Sequence, residues 1–67
     1  MIAIEVNGEQ RRVATWTTLL ELVEQLELAS EPVALAVNRS VVPRQVWRSH
    51  VLLAQDKIEI VRAIGGG

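Results

Sequence analysis

The chain has 67 residues, of which 49% are hydrophobic and 22% are charged, and its formal net charge is −1. This length suits one domain with one core, and the near-neutral charge argues against nucleic-acid binding, which requires a basic surface. Because the chain has no cysteine, disulfides, thiolate metal sites and a cysteine nucleophile are excluded.

No part of the sequence predicts a membrane span or an export signal. The apolar runs are far shorter than the roughly 20 residues of a membrane-spanning helix. The N-terminus alternates like a strand and lacks the basic start and apolar block of a signal peptide. We therefore expect a soluble, cytoplasmic protein.

The first fourteen residues predict a β-hairpin. Ile2, Ile4 and Val6 fall on one side of an alternating pattern, which is the period of a half-buried strand. Asn7-Gly8 follows, and this pair is a strong hairpin signal because both residues tolerate positive φ. Residues 9–14 then predict a return strand whose polarity suits the edge of a sheet.

One amphipathic helix is predicted after the hairpin. Thr18 and Glu21 form a capping-box pattern, in which each side chain binds a backbone N–H of the other residue. The apolar residues at helical spacing are Leu19, Leu22, Val23 and Leu26. We expect the helix to end near Leu28, because Pro32 disfavours helical backbone at the preceding residue, and we expect Leu22 and Leu26 to be core residues.

Two further strands are predicted, over residues 33–38 and 56–62. The residues expected to face the helix are Leu35, Val37, Ile58 and Ile60. Between these strands, residues 38–40 predict a turn, Val41-Val42 a short extended piece, and Pro43 the start of a helical turn that runs through Trp47. The stretch from residue 49 to 53 has no clear pattern.

This order of elements predicts an α+β fold with one helix packed on one face of a mixed sheet. A parallel pairing of the first and last strands would place the C-terminus at the end of the sheet. The arrangement is that of the ubiquitin-like β-grasp. We expect a β-grasp domain over residues 1–63 and a flexible, reactive tail over residues 64–67.

The tail ends in Gly65, Gly66 and Gly67. Three glycines reach roughly 10 Å when extended, and they adopt backbone conformations that are closed to other residues. An α-carboxylate, whose usual pKa is about 3.5, is a poor acyl electrophile and must be activated before a nucleophile can attack it. The glycines by themselves are therefore consistent with two interpretations: a partner enzyme acts on the carboxylate of Gly67, or the end of the chain is a disordered terminus without a function.

The sheet face opposite the helix is predicted to be apolar where an exposed face is ordinarily polar. Its small or apolar residues are Ala3, Ala34, Ala36 and Val61, with charges at Glu5, Glu59 and Arg62. An apolar patch of this kind is typical of a protein contact surface. We expect partners to bind there, with Arg62 contributing, although a patch of alanines is also consistent with an ordinary strand face.

The remaining candidates carry little chemistry. His50 is the only histidine, and it lacks the partners of a catalytic or metal site, so no metal site is expected. Trp16 and Trp47 are expected to pack at the edge of the core. For Arg44, the sequence indicates a local hydrogen-bonding role and a partner contact equally well.

Three segments resemble one family. The stretch from Asn38 to Trp47, which contains Val42-Pro43-Arg44, looks like the Asn…Val-Pro-Arg…Trp segment of the ThiS sulfur carrier proteins of thiamin biosynthesis. The strand from Asp56 to Ile60 and the terminal glycines match that family as well. One departure is Gln55, where the family usually has glycine, and this leaves the turn geometry there open.

The resemblance implies a carrier that is acted on rather than an enzyme. A ThiF-like adenylating enzyme would activate Gly67 with ATP and Mg²⁺, and sulfur would then replace the adenylate to give a thiocarboxylate. A ThiG-like thiazole synthase would receive the sulfur. Gly65 and Gly66 would pass through the narrow active sites of these enzymes. The chain itself would bind no cofactor, and a monomer is expected.

Two other functions remain open from the residues. One is a sulfur carrier of another pathway, such as the molybdopterin type, although Val61-Arg62-Ala63-Ile64 lacks the Pro-Pro stretch that is usual before its glycines. The other is a β-grasp binding module with an inert tail.

Overall fold

The computed structural model describes residues 1–62 and begins with the predicted hairpin. Strand β1 (Ile2–Val6) pairs antiparallel with β2 (Glu9–Val13). Asn7 and Gly8 join them at φ values of 50° and 85°, and these positive values match the right-handed twist of the two strands. Strand β2 lies at an edge of the sheet, as its polar sequence predicts.

Helix α1 (Leu19–Gln25) begins with the predicted capping box. The Thr18 hydroxyl accepts a hydrogen bond from the Glu21 N–H at 3.2 Å, and the Thr18 N–H donates to the Glu21 carboxylate at 2.9 Å. Both bonds satisfy backbone groups that the first helical turn leaves free.

The helix ends earlier than Leu28, so the predicted end was too late. Glu27 has a left-handed φ of 60°. Its N–H donates to the carbonyl of Glu24, and the N–H of Leu28 donates to the carbonyl of Val23, which is the hydrogen-bond pattern of a Schellman motif. The apolar pattern continued past the helix because Leu26 and Leu28 pack against the core from the following loop.

The rest of the chain completes a five-stranded sheet. Strands β3 (Val33–Val37) and β4 (Ser40–Val42) form a second antiparallel pair, and a 3₁₀ helix (Arg44–Ser49) leads towards β5 (Lys57–Arg62). The strand order is β2-β1-β5-β3-β4. Strand β5 is parallel to β1 and antiparallel to β3, so the predicted mixed sheet and the pairing of first and last strands are confirmed.

The core lies between α1 and the sheet. Its most buried large side chains are Ile4, Leu19, Leu22, Val23, Leu35, Trp47, Leu52 and Ile58. The prediction for Leu22 is confirmed, because this side chain is 0% exposed. Leu26 and Ile60 are only partly buried and pack against the core from its margin, so Leu26 was placed too deeply.

Both tryptophans depart from their predicted position at the core's edge. Trp47 is 1% exposed, and its indole N–H donates to the carbonyl of Val42 at 2.8 Å, so the one polar atom of its ring is satisfied inside the core. Trp16 is 75% exposed. It adopts a φ of 77° in the connection between β2 and α1, and this turn directs it away from the core.

The turn before β5 has Gln55 at its corner, and the structure shows its geometry. Gln55 adopts a φ of 70°, the left-handed backbone that glycine provides without strain, and its N–H donates to the carbonyl of Ala3 at 2.7 Å. The buried carboxylate of Asp56 accepts from the Leu53 N–H at 2.8 Å and from the Asn38 side-chain amide at 3.0 Å. These bonds hold the turn in a glycine-like geometry with glutamine at its corner.

Leu22 lies within α1 and Leu26 directly follows it, and the difference in their burial can be tested. We expect Leu22→Ala to cost about 2–5 kcal/mol of unfolding free energy, because it leaves a cavity in the core. Leu26→Ala is expected to cost less, since part of that side chain already contacts water. Urea unfolding of both variants measures this difference, and equal losses would contradict the observed burial.

Candidate functional site

The described chain ends at Arg62, two residues before the start of the predicted reactive tail. Residues 64–67, with Gly65, Gly66 and Gly67, lie outside the described residues. Arg62 is the last residue of β5 and pairs with Val33 of β3. Because β5 is the middle strand of the sheet, the last described residue lies at the centre of the sheet rather than at an edge.

Arg62, a predicted partner residue, has a neighbour within the fold. Its guanidinium lies 3.7 Å from the carboxylate of Glu31, which belongs to the loop between α1 and β3. The two side chains are 64% and 41% exposed. A pair this open to water contributes about 0–1 kcal/mol of stability. A partner protein could therefore bind Arg62 in place of Glu31 with little loss of stability.

Four apolar residues meet on the sheet face opposite α1, and we call this set the outer apolar patch. Its members are Ala34, Ala36, Val41 and Val61. Ala34 lies directly opposite Val61, and Ala36 lies directly opposite Val41. Val61 is 63% exposed and Val41 is 76% exposed, so large apolar side chains stand in solvent beside the start of the tail.

The structure adds Val41 to the predicted set and separates Ala3 from it. Strand β1 meets β5 where Glu5 lies opposite Lys57. Ala3 lies two residues from that point in one direction, and Val61 lies four residues from it in the other. Six residues of strand correspond to roughly 20 Å. Sequence alternation on β4 could have identified Val41, because its neighbour Val42 is buried.

Charged residues occupy the outer face between Ala3 and the outer apolar patch. Glu5 and Lys57 lie opposite each other there, and Glu59 lies opposite Ala36. Together with Arg39, in the turn between β3 and β4, these three charged residues line a shallow depression. Of the predicted boundary charges, Glu59 borders the outer apolar patch, whereas Glu5 lies nearer to Ala3.

A second exposed apolar surface lies at the end of the sheet away from the tail. Trp16 and Leu53, 75% and 66% exposed, line a shallow depression there with Ile2 and Ala54. Sequence reasoning missed this surface because it expected Trp16 to pack at the edge of the core.

Arg44 has a local role. Its guanidinium donates to the carbonyl of Ala29 at 3.0 Å and to that of Glu31 at 2.8 Å. The same group lies 4.5 Å from the centre of the Trp47 ring, which is within the range of a cation–π contact. Arg44 therefore ties the loop after α1 to the 3₁₀ helix.

His50 contributes its backbone rather than its side chain to the described contacts. Its carbonyl accepts from the N–H of Leu19 at 2.9 Å, which satisfies a free donor of the first helical turn. Within residues 1–62, no three His, Cys, Asp or Glu side chains are grouped to hold a metal ion.

Among residues 1–62, neither α1 nor the 3₁₀ helix has the length and hydropathy of a membrane span. The cytoplasmic location stays a prediction.

Comparison with known proteins assigns the fold and the family. The model of the ThiS family matches residues 4–67. The crystal structure of a thiamine biosynthesis protein, ThiS, from Geobacter metallireducens superposes with a TM-score of 0.85 at 28% identity, covering 98% of this chain and 100% of that one. This likeness supports the ubiquitin-like β-grasp that the strand order predicts.

Two relatives connect the chain with named proteins. The sulfur carrier protein ThiS of Escherichia coli K12 is 36% identical over 61 residues, which are 91% of this chain and 92% of that protein. A thiazole synthase of Magnetococcus marinus is 42% identical over 64 residues, which are 96% of this chain but 20% of that protein. A domain similar to this chain therefore occurs within a longer polypeptide that is named a synthase.

The local role of Arg44 leads to a prediction about stability. We expect Arg44→Lys to lower the free energy of unfolding by about 1 kcal/mol, because lysine lacks the planar fork whose two separate nitrogens bind the two carbonyls. The matched control is Arg48→Lys, an exposed arginine of the same 3₁₀ helix. Thermal unfolding of both variants is the measurement, and equal melting temperatures would assign Arg44 no structural role.

Proposed function

The chain belongs to the ThiS family, and from this membership we propose that it is a sulfur carrier whose Gly67 carboxylate is adenylated and then converted into a thiocarboxylate. The observation that carries the proposal is the span of the family match, residues 4–67, which covers the β-grasp domain and the terminal glycines together. The chain is a protein co-substrate and not an enzyme.

The chemistry follows from the weakness of a carboxylate as an electrophile. A carboxylate oxygen of Gly67 attacks the α-phosphorus of ATP, forming a mixed anhydride with AMP as pyrophosphate leaves. Hydrosulfide then attacks the carbonyl carbon and displaces AMP, and loss of a proton leaves the thiocarboxylate. ATP and Mg²⁺ belong to the ThiF-like adenylating enzyme, and Mg²⁺ neutralises the charge of the leaving pyrophosphate.

A ThiG-like thiazole synthase is the proposed acceptor of the sulfur. The support is the thiazole synthase of Magnetococcus marinus, of which one part is 42% identical to this chain. That similarity and the ThiS relatives favour the thiamin pathway over the molybdopterin type. A monomer remains the predicted state of the chain, since each carrier presents one carboxylate to one active site.

The outer apolar patch is the proposed docking surface for the adenylating enzyme. Val61 and Val41 are exposed apolar side chains there, and burying them against a partner would release their contact with water. Val61 is six residues before Gly67, so the carboxylate lies within roughly 20 Å of the patch. An enzyme docked on the patch could therefore hold Gly67 in its active site at the same time.

The first prediction concerns the terminal residue. Deleting Gly67, or adding one residue after it, should abolish thiocarboxylate formation, because the carboxylate would no longer reach the activating phosphate in the right position. Intact-mass measurement after incubation with the adenylating enzyme, ATP, Mg²⁺ and sulfide detects the exchange of one oxygen for sulfur. Formation of this product on the extended chain would contradict the proposal.

The second prediction concerns the outer apolar patch. Val61→Asp, and Ala36→Asp to a lesser degree, should weaken binding to the adenylating enzyme, because each introduces a charge into an apolar contact. The matched control is Leu53→Asp, since Leu53 is 66% exposed against 63% for Val61 but lies at the other end of the sheet.

Titration of each folded variant against the adenylating enzyme measures this effect. Wild-type affinity for Val61→Asp would remove the outer apolar patch from the interface. An equal loss for Leu53→Asp would show that the site of docking is elsewhere or more extensive than the patch.

A further inference from the structure

The last part of β5 is held on its β1 side by a side chain instead of a strand. Backbone bonds from Glu5 to Asp56 and from Asn7 to Ile58, both 2.9 Å, join β1 to β5. Strand β1 then ends at Val6 and the chain turns away. The next backbone groups of β5 on this side are the N–H and the carbonyl of Ile60.

The amide of Asn7 binds both of these groups. Its Oδ1 accepts from the Ile60 N–H at 2.8 Å, and its Nδ2 donates to the Ile60 carbonyl at 3.3 Å. A side-chain amide offers the same acceptor and donor as a peptide unit. Asn7 therefore extends β1 by one pairing position without extending the strand.

From this geometry we infer that Asn7 is a positioning residue for the chemistry at Gly67, an inference that rests on the proposed function. With Asn7 in place, β5 is bound on both sides as far as Ile60, and its β3 side is paired through Arg62. Only five residues, 63–67, then separate the described strand from the carboxylate. They reach roughly 17 Å.

Loss of the amide would leave the end of β5 as a one-sided edge. Strand ends that are paired on one side open more readily than those that are paired on both. Opening of this end would lengthen the chain between the last paired residue and the carboxylate, and a longer connection lowers the effective concentration of the carboxylate at a fixed point in a docked active site. The amide of Asn7 thus holds the end of β5 and fixes the point at which residues 63–67 begin.

The identity of the residue supports two separate tasks. The hairpin turn requires positive φ, and Asn7 has a φ of 50°, but Asp-Gly and Gly-Gly serve such turns as well. Only asparagine among these supplies both an acceptor and a donor to Ile60. Both Asn7→Gly and Asn7→Asp therefore keep the turn. Asn7→Gly removes the whole side-chain amide, whereas Asn7→Asp removes only its N–H donor.

Asn38 provides a matched control at the other end of the same strand. It also has a φ of 50°. Its Oδ1 accepts from the Lys57 N–H at 3.0 Å, and its Nδ2 donates to the Asp56 carboxylate at 3.0 Å. Asn38→Gly thus removes two hydrogen bonds from the start of β5 by the same substitution and leaves the root of the tail untouched.

The first measurement is steady-state release of pyrophosphate by a ThiF-type enzyme with ATP and Mg²⁺, with each carrier variant as substrate. We expect Asn7→Gly to lower kcat by about 3–10-fold with a smaller change in KM, because β3 still pairs Val61 and Arg62 while the carboxylate is placed correctly less often. The kcat of Asn7→Asp is expected to lie between that of Asn7→Gly and that of the wild type. Asn38→Gly is expected to lose melting temperature and keep the wild-type kcat.

The second measurement needs no partner. Hydrogen exchange followed by NMR should show the Ile60 amide exchanging at least about tenfold faster in Asn7→Gly, with little change at Ala36. Unchanged exchange at Ile60, an unchanged kcat, or an equal fall of kcat in Asn38→Gly would each overturn the inference. Failure of the wild-type chain to be adenylated would overturn the proposed function, while the exchange data still decide whether Asn7 holds β5.

Discussion

The placement of β5 between β1 and β3 is the constraint on which the structure depends. In the order β2-β1-β5-β3-β4, only β5 joins the N-terminal hairpin to the second antiparallel pair. The register of β1 with β5 has two residue pairs, so the side chain of Asn7 adds substantially to a short contact. A carrier whose terminus must be handled by other proteins benefits from this arrangement, because the residues before the tail are bound at the centre of the sheet.

The connection before β5 completes a core that the helix cannot cover alone. A helix of seven residues is roughly 10 Å long, whereas five strands span roughly 19 Å. Trp47 and Leu52 fill the remaining space and are 1% and 2% exposed. Backbone bonds from Leu52 to Thr17 and from Leu19 to His50 fasten this connection to the start of α1, and Arg44 fastens it to the loop after the helix.

The two faces of the sheet serve different purposes: the face under α1 stabilises the fold, and the opposite face is free for recognition. The face under α1 holds Ile4, Leu35 and Ile58, each almost fully buried, so substitutions there act first on folding. The opposite face carries small residues with exposed Val41 and Val61, which the fold does not need to bury. A binding surface can occupy this second face, beside the start of the tail, without weakening the core.

Local patterns determined much of this protein from the sequence alone. The hairpin at Asn7-Gly8 and the capping box at Thr18 depend on neighbours within a few residues, and the structure agrees with both. The succession of predicted elements along the chain indicated the β-grasp, and the strand order agrees with it. The tertiary structure decided the separation of Ala3 from Val61, which depends on the register between strands that are distant in the chain. It also decided the burial of Trp47, which depends on how the 3₁₀ helix packs against the core. It also revealed the bond from Asn7 to Ile60, which spans 53 residues, a distance over which periodicity and turn preferences carry no information.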